Sequence, residues 1–483
     1  MTTDRRRLAA LVVLCTGMLM IVLDITVVNV ALPAIRDDLG FSEAGLAWVV
    51  NAYMIAFGGL LLLAGRLGDL LGRRRIFLAG LATFTVASLA CGAAENEVML
   101  IAARFVQGAG GAMTSAVILG MIVTLFPDPR EQAQAIGAYA FVASAGGAVG
   151  LLAGGSLTQA LNWHWIFFVN VPIGVLTALL ATRLLAHERG TGLRAGTDVA
   201  GALTVTAALM LGVYTIVGEA AVDGWGAPRT LSYGAGSVAL LVLFVVRELT
   251  AANPLVPMNI FTSRTVLGSN LIQVAAGAGM FGTFFLGSQY LEGVLGYSAM
   301  RIGLAFLPTT IVMAVLSVRF TEPLVSRYGA RRVMIAGLSL IVAGLAAFAF
   351  APVHAHYAVH VLPVVVLLGA GGGLTFPALM TLAMTGVRRD EAGLASGLIN
   401  TTGQVGCALG LAVLAALSSS RTHALTSSGA DPKSALTGGY HLAFWIAAAV
   451  VAVAVVIANT VLRPAARPAD EPMTEPDRAL EPV

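Results

Sequence analysis

Residues 65–75 read GRLGDLLGRRR, from Gly65 to Arg75, and lie between two long apolar blocks. Further along, Glu322 to Arg332 reads EPLVSRYGARR, a worn copy that places Gly329 on Gly72 and Arg331 on Arg74 at an offset of 257 residues. Basic turns occur in any membrane protein, because Lys and Arg collect in cytoplasmic loops. The shared Gly and Arg register, recurring after an even number of apolar spans, argues instead for a duplicated bundle. Six spans occupy about 180 residues, and the excess of about 75 in the offset corresponds to two further helices set between the halves. The expected fold is an all-α polytopic membrane protein with two six-helix bundles, two inserted helices and 14 transmembrane helices in all.

The composition agrees with this reading. Of 483 residues, 58% are apolar and 11% charged, against about 45–50% and about 25% in soluble domains. A water-soluble fold is excluded. The apolar residues run in continuous blocks such as Leu8 to Leu23 and Val359 to Leu382, where a membrane β-barrel would alternate over about ten residues. A window of about 19 residues places the first bundle at 8–186, the inserted pair at 198–249 and the second bundle at 266–462. A Pro-rich acidic tail, 463–483, is expected to be disordered. Polar breaks are expected at Pro33 to Glu43, Pro127 to Glu131, Arg189 to Asp198 and the Ser/Thr/Gly-rich Ser418 to Tyr440.

Placing both termini in the cytoplasm puts 22 of the 28 basic residues on the inner side, the asymmetry that sets orientation. Arg5 to Arg7 ahead of an apolar block resemble a signal peptide, but no convincing cleavage site follows and the first span is expected to remain. The net charge is only +3, and no basic run carries interleaved aromatics, so nucleic acid is not an expected partner. The lipid bilayer is. Cys15, Cys91 and Cys407 all lie in apolar blocks and read as packing residues.

A charge at the centre of a span costs about 2.5–3.5 kcal/mol on insertion scales and persists mainly where it works. Two residues qualify: Asp24, in LDITVVNVALP of the first span, and Arg104, in RFVQGAGGA of the fourth. Low dielectric disfavours a charged carboxylate, which makes Asp24 the candidate proton site. A hydrogen-bonded bend near Asn29 and Pro33 is the competing reading. Arg104 cannot neutralise itself and needs a partner, with Asp24, a carbonyl or a bound anion as candidates; snorkelling to the surface is its alternative. If the two share a cavity, protonation of Asp24 releases an ion pair, and a cationic substrate competes with the proton for one carboxylate.

Gln107 lies one turn from Arg104, near the same face. Together with Asn29, Gln273, Gln289, Asn400 and Gln404 it is expected either to line a substrate cavity or to join helices by hydrogen bonds. Gly146, Gly150 and Gly154 recur every fourth residue, with Gly155 alongside, a ridge that lets another backbone approach and that also suits a plain packing seam. His354, His356 and His360 share one loop without carboxylate or cysteine support, so no metal is expected there. No Walker loop, HExxH, nucleophile elbow or dinucleotide fingerprint occurs, and neither a cofactor nor enzyme activity is expected.

GRLGDLLGRRR, LDITVVNVALP, RFVQGAGGA and NWHWIFFVNVPIG (Asn162 to Gly174) resemble the spaced motifs of the major facilitator superfamily, specifically its fourteen-span drug:proton antiporter branch, over about residues 8 to 462. Two positions depart from that branch. Leu151 stands where its fifth-span GPxxGG motif has proline, and His164 replaces the common arginine. The resemblance implies alternating access of two bundles about a central site. It also implies efflux of a small hydrophobic drug or antibiotic driven by inward proton flow through a monomer, and the single clear intramembrane acid suits neutral or monocationic substrates more than dications. By position, Asp24 and Arg104 take the coupling role, and Gly65, Asp69, Gly72, Arg73 and Arg74 guard the cytoplasmic gate. Gly146, Gly150, Gly154 and Gly155 seal the outer half. A same-fold exporter of a metabolite or lipid without proton coupling stays open because of Leu151, and so does a membrane receptor or scaffold. Arginine supplies every basic residue except Lys433, which with abundant Ala and Gly suggests a GC-rich bacterial genome and a bacterial cytoplasmic membrane.

Overall fold

The computed structural model describes residues 3–186, 190, 192, 198–219, 224–251, 254–256, 258–384 and 392–462; the tail at 463–483 lies outside them. Every regular element among the described residues is helical. With one label per crossing, the first half comprises α1 (Thr3–Leu39), α2 (Glu43–Leu71), α3 (Arg73–Gly92), α4 (Glu97–Leu125), α5 (Pro129–Ala160) and α6 (Trp165–Leu184). Between the halves lie α7 (Val199–Tyr214) and α8 (Pro228–Thr250). The second half comprises α9 (Arg264–Gly293), α10 (Ala299–Tyr328), α11 (Ala330–Phe348), α12 (Tyr357–Met384), α13 (Ala392–Ser427) and α14 (Pro432–Thr460). Among the described residues, 12 helices are long and apolar enough to cross a membrane. The other two are α5, of 32 residues, and α7, which a π turn at Thr215–Glu219 prolongs.

Two expected breaks are corrected. α1 runs through Pro33 to Leu39, and α13 continues to Ser427 with α14 beginning at Pro432, so the breaks shrink to 40–42 and 428–431. Polarity there marks the exit from hydrocarbon, not the end of the helix. Hydroxyls in these turns bond back to the helix: Thr426 donates to the Thr422 carbonyl at 2.9 Å and Thr437 to that of Lys433 at 2.7 Å. The true start of α14 is capped by Asp431, whose side chain accepts the Ser434 N–H.

The repeat read in the sequence has a structural counterpart. Gly72 joins α2 to α3 at φ +101°, and Gly329 precedes α11 at φ +84°, a backbone region that glycine alone enters freely. Two residues on from each glycine, an arginine reaches the inner end of its own half's last helix. Arg74 donates to the Thr182 carbonyl at 2.5 Å, and Arg331 to the carbonyls of Ala458 at 2.9 Å and Asn459 at 2.7 Å, each cation meeting a helix C-terminus. α3 meets α4 backbone to backbone at Gly80 and Gly110, and α11 meets α12 at Gly337 and Gly371. A Cβ would lie 2.9 Å from the Gly110 carbonyl oxygen in the first pair and 2.8 Å from that of Gly371 in the second.

The two halves pack together along α2 with α13 and along α5 with α10. At the side away from the termini, called outer below, Arg36 at the end of α1 pairs with Glu292 at the end of α9 at 3.6 Å. α7 and α8 pack on each other, and α7 lies against α2 with Thr206 over Gly59.

Candidate functional site

The two intramembrane charges meet inside the first half. Arg104 Nη1 lies 2.5 Å from Asp24 Oδ2, and the two side chains are 1% and 0% exposed. Asp24 Oδ1 accepts from Gln107 Nε2 at 2.7 Å and from Asn170 Nδ2 at 3.2 Å. Arg104 also donates from Nε to the Val49 carbonyl at 2.9 Å and from Nη1 to Gln107 Oε1 at 2.6 Å. Its guanidinium stacks 4.3 Å over the Tyr53 ring. Ser88 Oγ closes the network, accepting from Gln107 and Asn170, each at 3.0 Å, and donating to the Phe167 carbonyl at 3.2 Å.

Five helices, α1, α2, α3, α4 and α6, therefore contribute to one buried polar cluster. A buried ion pair holds only where further hydrogen bonds satisfy both partners, and here the carboxylate receives three donors while the guanidinium reaches two further acceptors. Every partner of Asp24 is a donor. Arg104 turns inward and does not snorkel. Sequence reading missed Ser88, Tyr53 and Asn170, although Asn170 sits within the quoted stretch Asn162 to Gly174.

The glycine ridge of α5 lies against the turns that flank Asp24. The space a Cβ would take is occupied at Gly146 by Leu19 and Val22, at Gly150 by Thr26, and at Gly154 by the Val27 backbone. The opposite side of α5 meets the second half: Gly155 abuts Met300, and the Leu151 carbonyl faces Gly303 in α10. Thus α5 stands between the helix that carries the acid and the other bundle.

Where α2 turns into α3, Arg73 donates to Asp69 at 3.1 Å, to the Gly120 carbonyl at 3.1 Å and to Thr124 at 3.2 Å. With Arg74 on Thr182, the junction is tied to the inner ends of α4 and α6. Gly65 lies near Ala116 of α4, and Gly72 supplies the turn.

The expected cavity residues are dispersed. Gln107 spends its amide in the buried network, and Asn29 donates to the Ile25 carbonyl at 2.8 Å. Gln404 lies over Gly58 in the α2–α13 seam, Gln273 lies against Gly403, and Asn400 is exposed on α13. Gln289 is buried within the second half beside Ser418 and Tyr440. The structure brings Gln404 to the boundary between halves and leaves Gln289 away from it. Near Gln273, Asn270 accepts from Thr402 at 2.8 Å, a link that the sequence did not single out.

Comparison with known proteins gives a consistent result. The chain is 39% identical over 454 residues to the puromycin resistance protein pur8 of Streptomyces alboniger, covering 93% of this chain and 90% of that protein. It is 41% identical over 416 residues to the cephamycin export protein CmcT of Amycolatopsis lactamdurans, covering 86% and 85%. Its fold is similar to an inward-facing, unoccupied bacterial homologue of the human lysosomal transporter Spinster, with a TM-score of 0.68 at 16% identity over 94% of this chain and 96% of that one. The family profile matches residues 14–411, and the chain belongs to the Major Facilitator Superfamily, as a multi-pass membrane transporter of its antibiotic- and multidrug-resistance branch.

Proposed function

We propose that this transporter exports hydrophobic, antibiotic-like compounds in exchange for protons, with Asp24 as the proton carrier and Arg104 as its counter-ion. The observation that carries this reading is the ion pair itself, fully buried on a helix whose flanks rest on the glycines of α5. Protonation of Asp24 removes the attraction to Arg104 and turns an acceptor into a donor, so the network cannot persist unchanged. α1 is then free to shift along the smooth face of α5, and α5 passes that movement to α10 across the boundary between halves.

In this cycle the bundles 8–186 and 266–462 rock about a site at the α2–α13 seam, and the inserted pair 198–249 rides with them. Both termini are cytoplasmic and the monomer is the working unit. The α2–α3 junction, with Gly65, Asp69, Gly72, Arg73 and Arg74, guards the inner opening, while the Arg36–Glu292 pair and the α5 glycines close the outer one. Resistance to puromycin and export of cephamycin, named for two relatives, support antibiotics as the substrate class. Leu151, in the proline position of the α5 motif, favours a second reading, export of a metabolite or lipid without proton coupling. Inside-out vesicles test the first reading: an acidified lumen drives uptake of a fluorescent hydrophobic drug by the wild type, while Asp24→Asn shows no gradient-driven uptake. Equal uptake by both proteins, or uptake that ignores the gradient, rejects it.

A further inference from the structure

Helices α7 and α8 hold two buried acids of their own. Asp198, which caps α7, is 4% exposed, and Glu248, in the last turn of α8, is 2% exposed. Asp198 Oδ1 accepts from the Gly201 N–H at 2.9 Å and from Arg247 Nε at 2.7 Å. Glu248 Oε2 accepts from the Val256 N–H at 2.8 Å. The second oxygen of each, Asp198 Oδ2 and Glu248 Oε1, has no hydrogen-bond partner among the described residues. Both point at one place: they lie 2.7 and 2.8 Å from where a Cβ on Gly201 would sit, and so within about 5.5 Å of each other.

Among the described residues, two buried carboxylates and one guanidinium, that of the half-exposed Arg247, leave this group one negative charge in excess. The charged groups that act on Glu248 are Asp198 and Arg247. Arg66 and Asp69 on the neighbouring α2 are exposed, as is Arg264 at the start of α9. Like charges this close cannot both stay ionised without cost, and an orphaned buried oxygen is itself costly. A metal ion does not suit the site, since hard cations take six to eight oxygens or keep bound water, and no group of three or more metal-ligating side chains occurs among the described residues.

We infer that Glu248 and Asp198 form a second proton-binding site, in which Glu248 carries one proton on Oε1, the oxygen that shares the space over Gly201 with Asp198 Oδ2. Asp198 keeps its charge, facing Arg247 and the Gly201 amide. The proton neutralises the excess charge and removes the repulsion between the two carboxylates.

This site fastens a particular segment. Through Val256, Glu248 holds the connector from α8 to α9, and that connector packs into a separate apolar cluster: Val256 and Ile260 meet Leu62 of α2, Leu398 of α13 and Met384 of α12. The connector thus braces the inner part of the α2–α13 seam. When both acids are ionised, they repel and the Val256 anchor loosens, so the proton acts as the clasp.

Infrared spectroscopy of the purified full-length protein near neutral pH tests this without reference to transport. The wild type is expected to show a protonated-carboxyl absorption that disappears on alkalinisation. Glu248→Gln lacks that band and stays folded, because the amide oxygen still accepts from Val256 and the neutral side chain does not repel Asp198. Asp198→Asn removes the excess negative charge and is expected to make the band disappear at a lower pH than in the wild type. A wild-type spectrum without the band, or equal bands in the wild type and a folded Glu248→Gln, overturns the site. So does loss of the band on adding sodium, magnesium or calcium at fixed pH, which would make a metal cation the ligand.

Discussion

Asp24 accepts hydrogen bonds from Arg104, Gln107 and Asn170, and each of these makes a separate demand on the fold. Asp24→Asn still offers an oxygen to Arg104, so it is expected to reach the membrane at near wild-type levels while its gradient-driven efflux falls to background in vesicle assays. Arg104→Ala strips the carboxylate of its counter-ion. It is expected to lower stability by about 3–5 kcal/mol, read as unfolding in detergent, and to abolish transport. Arg104→Lys does not restore activity, because a single ammonium cannot serve Asp24, Gln107 and the Val49 carbonyl in the planar fork that arginine presents. Asn170→Ala removes one partner from both Asp24 and Ser88, with an expected loss of about 1–3 kcal/mol. Asp24 and Arg104 are legible in the sequence because a charge inside an apolar block is rare. Ser88 and Tyr53 are not, because a neutral polar residue in a span finds many partners and carries no signal of which. Asp198 and Glu248 escape for the opposite reason: they sit at span ends, where charges are ordinary.

Among the elements, the helix-to-helix turns at Gly72 and Gly329 are legible as a repeat, and both require a backbone that other residues adopt only under strain. Gly72→Ala and Gly329→Ala are each expected to cost about 1–3 kcal/mol, visible as similar drops in thermal midpoint. A silent Gly329→Ala would show that the second turn is not the structural equal of the first. Gly150→Val drives a branched side chain into Thr26 and the Leu23 carbonyl. It is expected to push α1 from α5, destabilise by about 1–3 kcal/mol and halt transport. Span number follows from apolar blocks, but helix ends do not. Around Pro33 and between Ser418 and Tyr440 the helices run on into polar surroundings, where composition changes although backbone hydrogen bonding does not.

For the molecule as a whole, the Arg36–Glu292 pair joins the outer ends of α1 and α9 across the two halves. Each side chain is about one-quarter exposed, so the pair is worth at most about 1 kcal/mol, enough to bias the outer opening without locking it. Arg36→Glu is expected to raise the labelling of a cysteine placed at Asn29 by an impermeant reagent from outside, and the double exchange Arg36→Glu with Glu292→Arg to return it to the starting level. Labelling that the exchange does not restore would remove the pair from the outer closure. The exchange of proton for substrate at Asp24 is open to a more direct measurement. A compound to which the overproduced protein gives resistance is added to purified protein in weak buffer, and proton release is followed with a pH dye. Release from the wild type and none from folded Asp24→Asn is the expected result; equal release from both would contradict it.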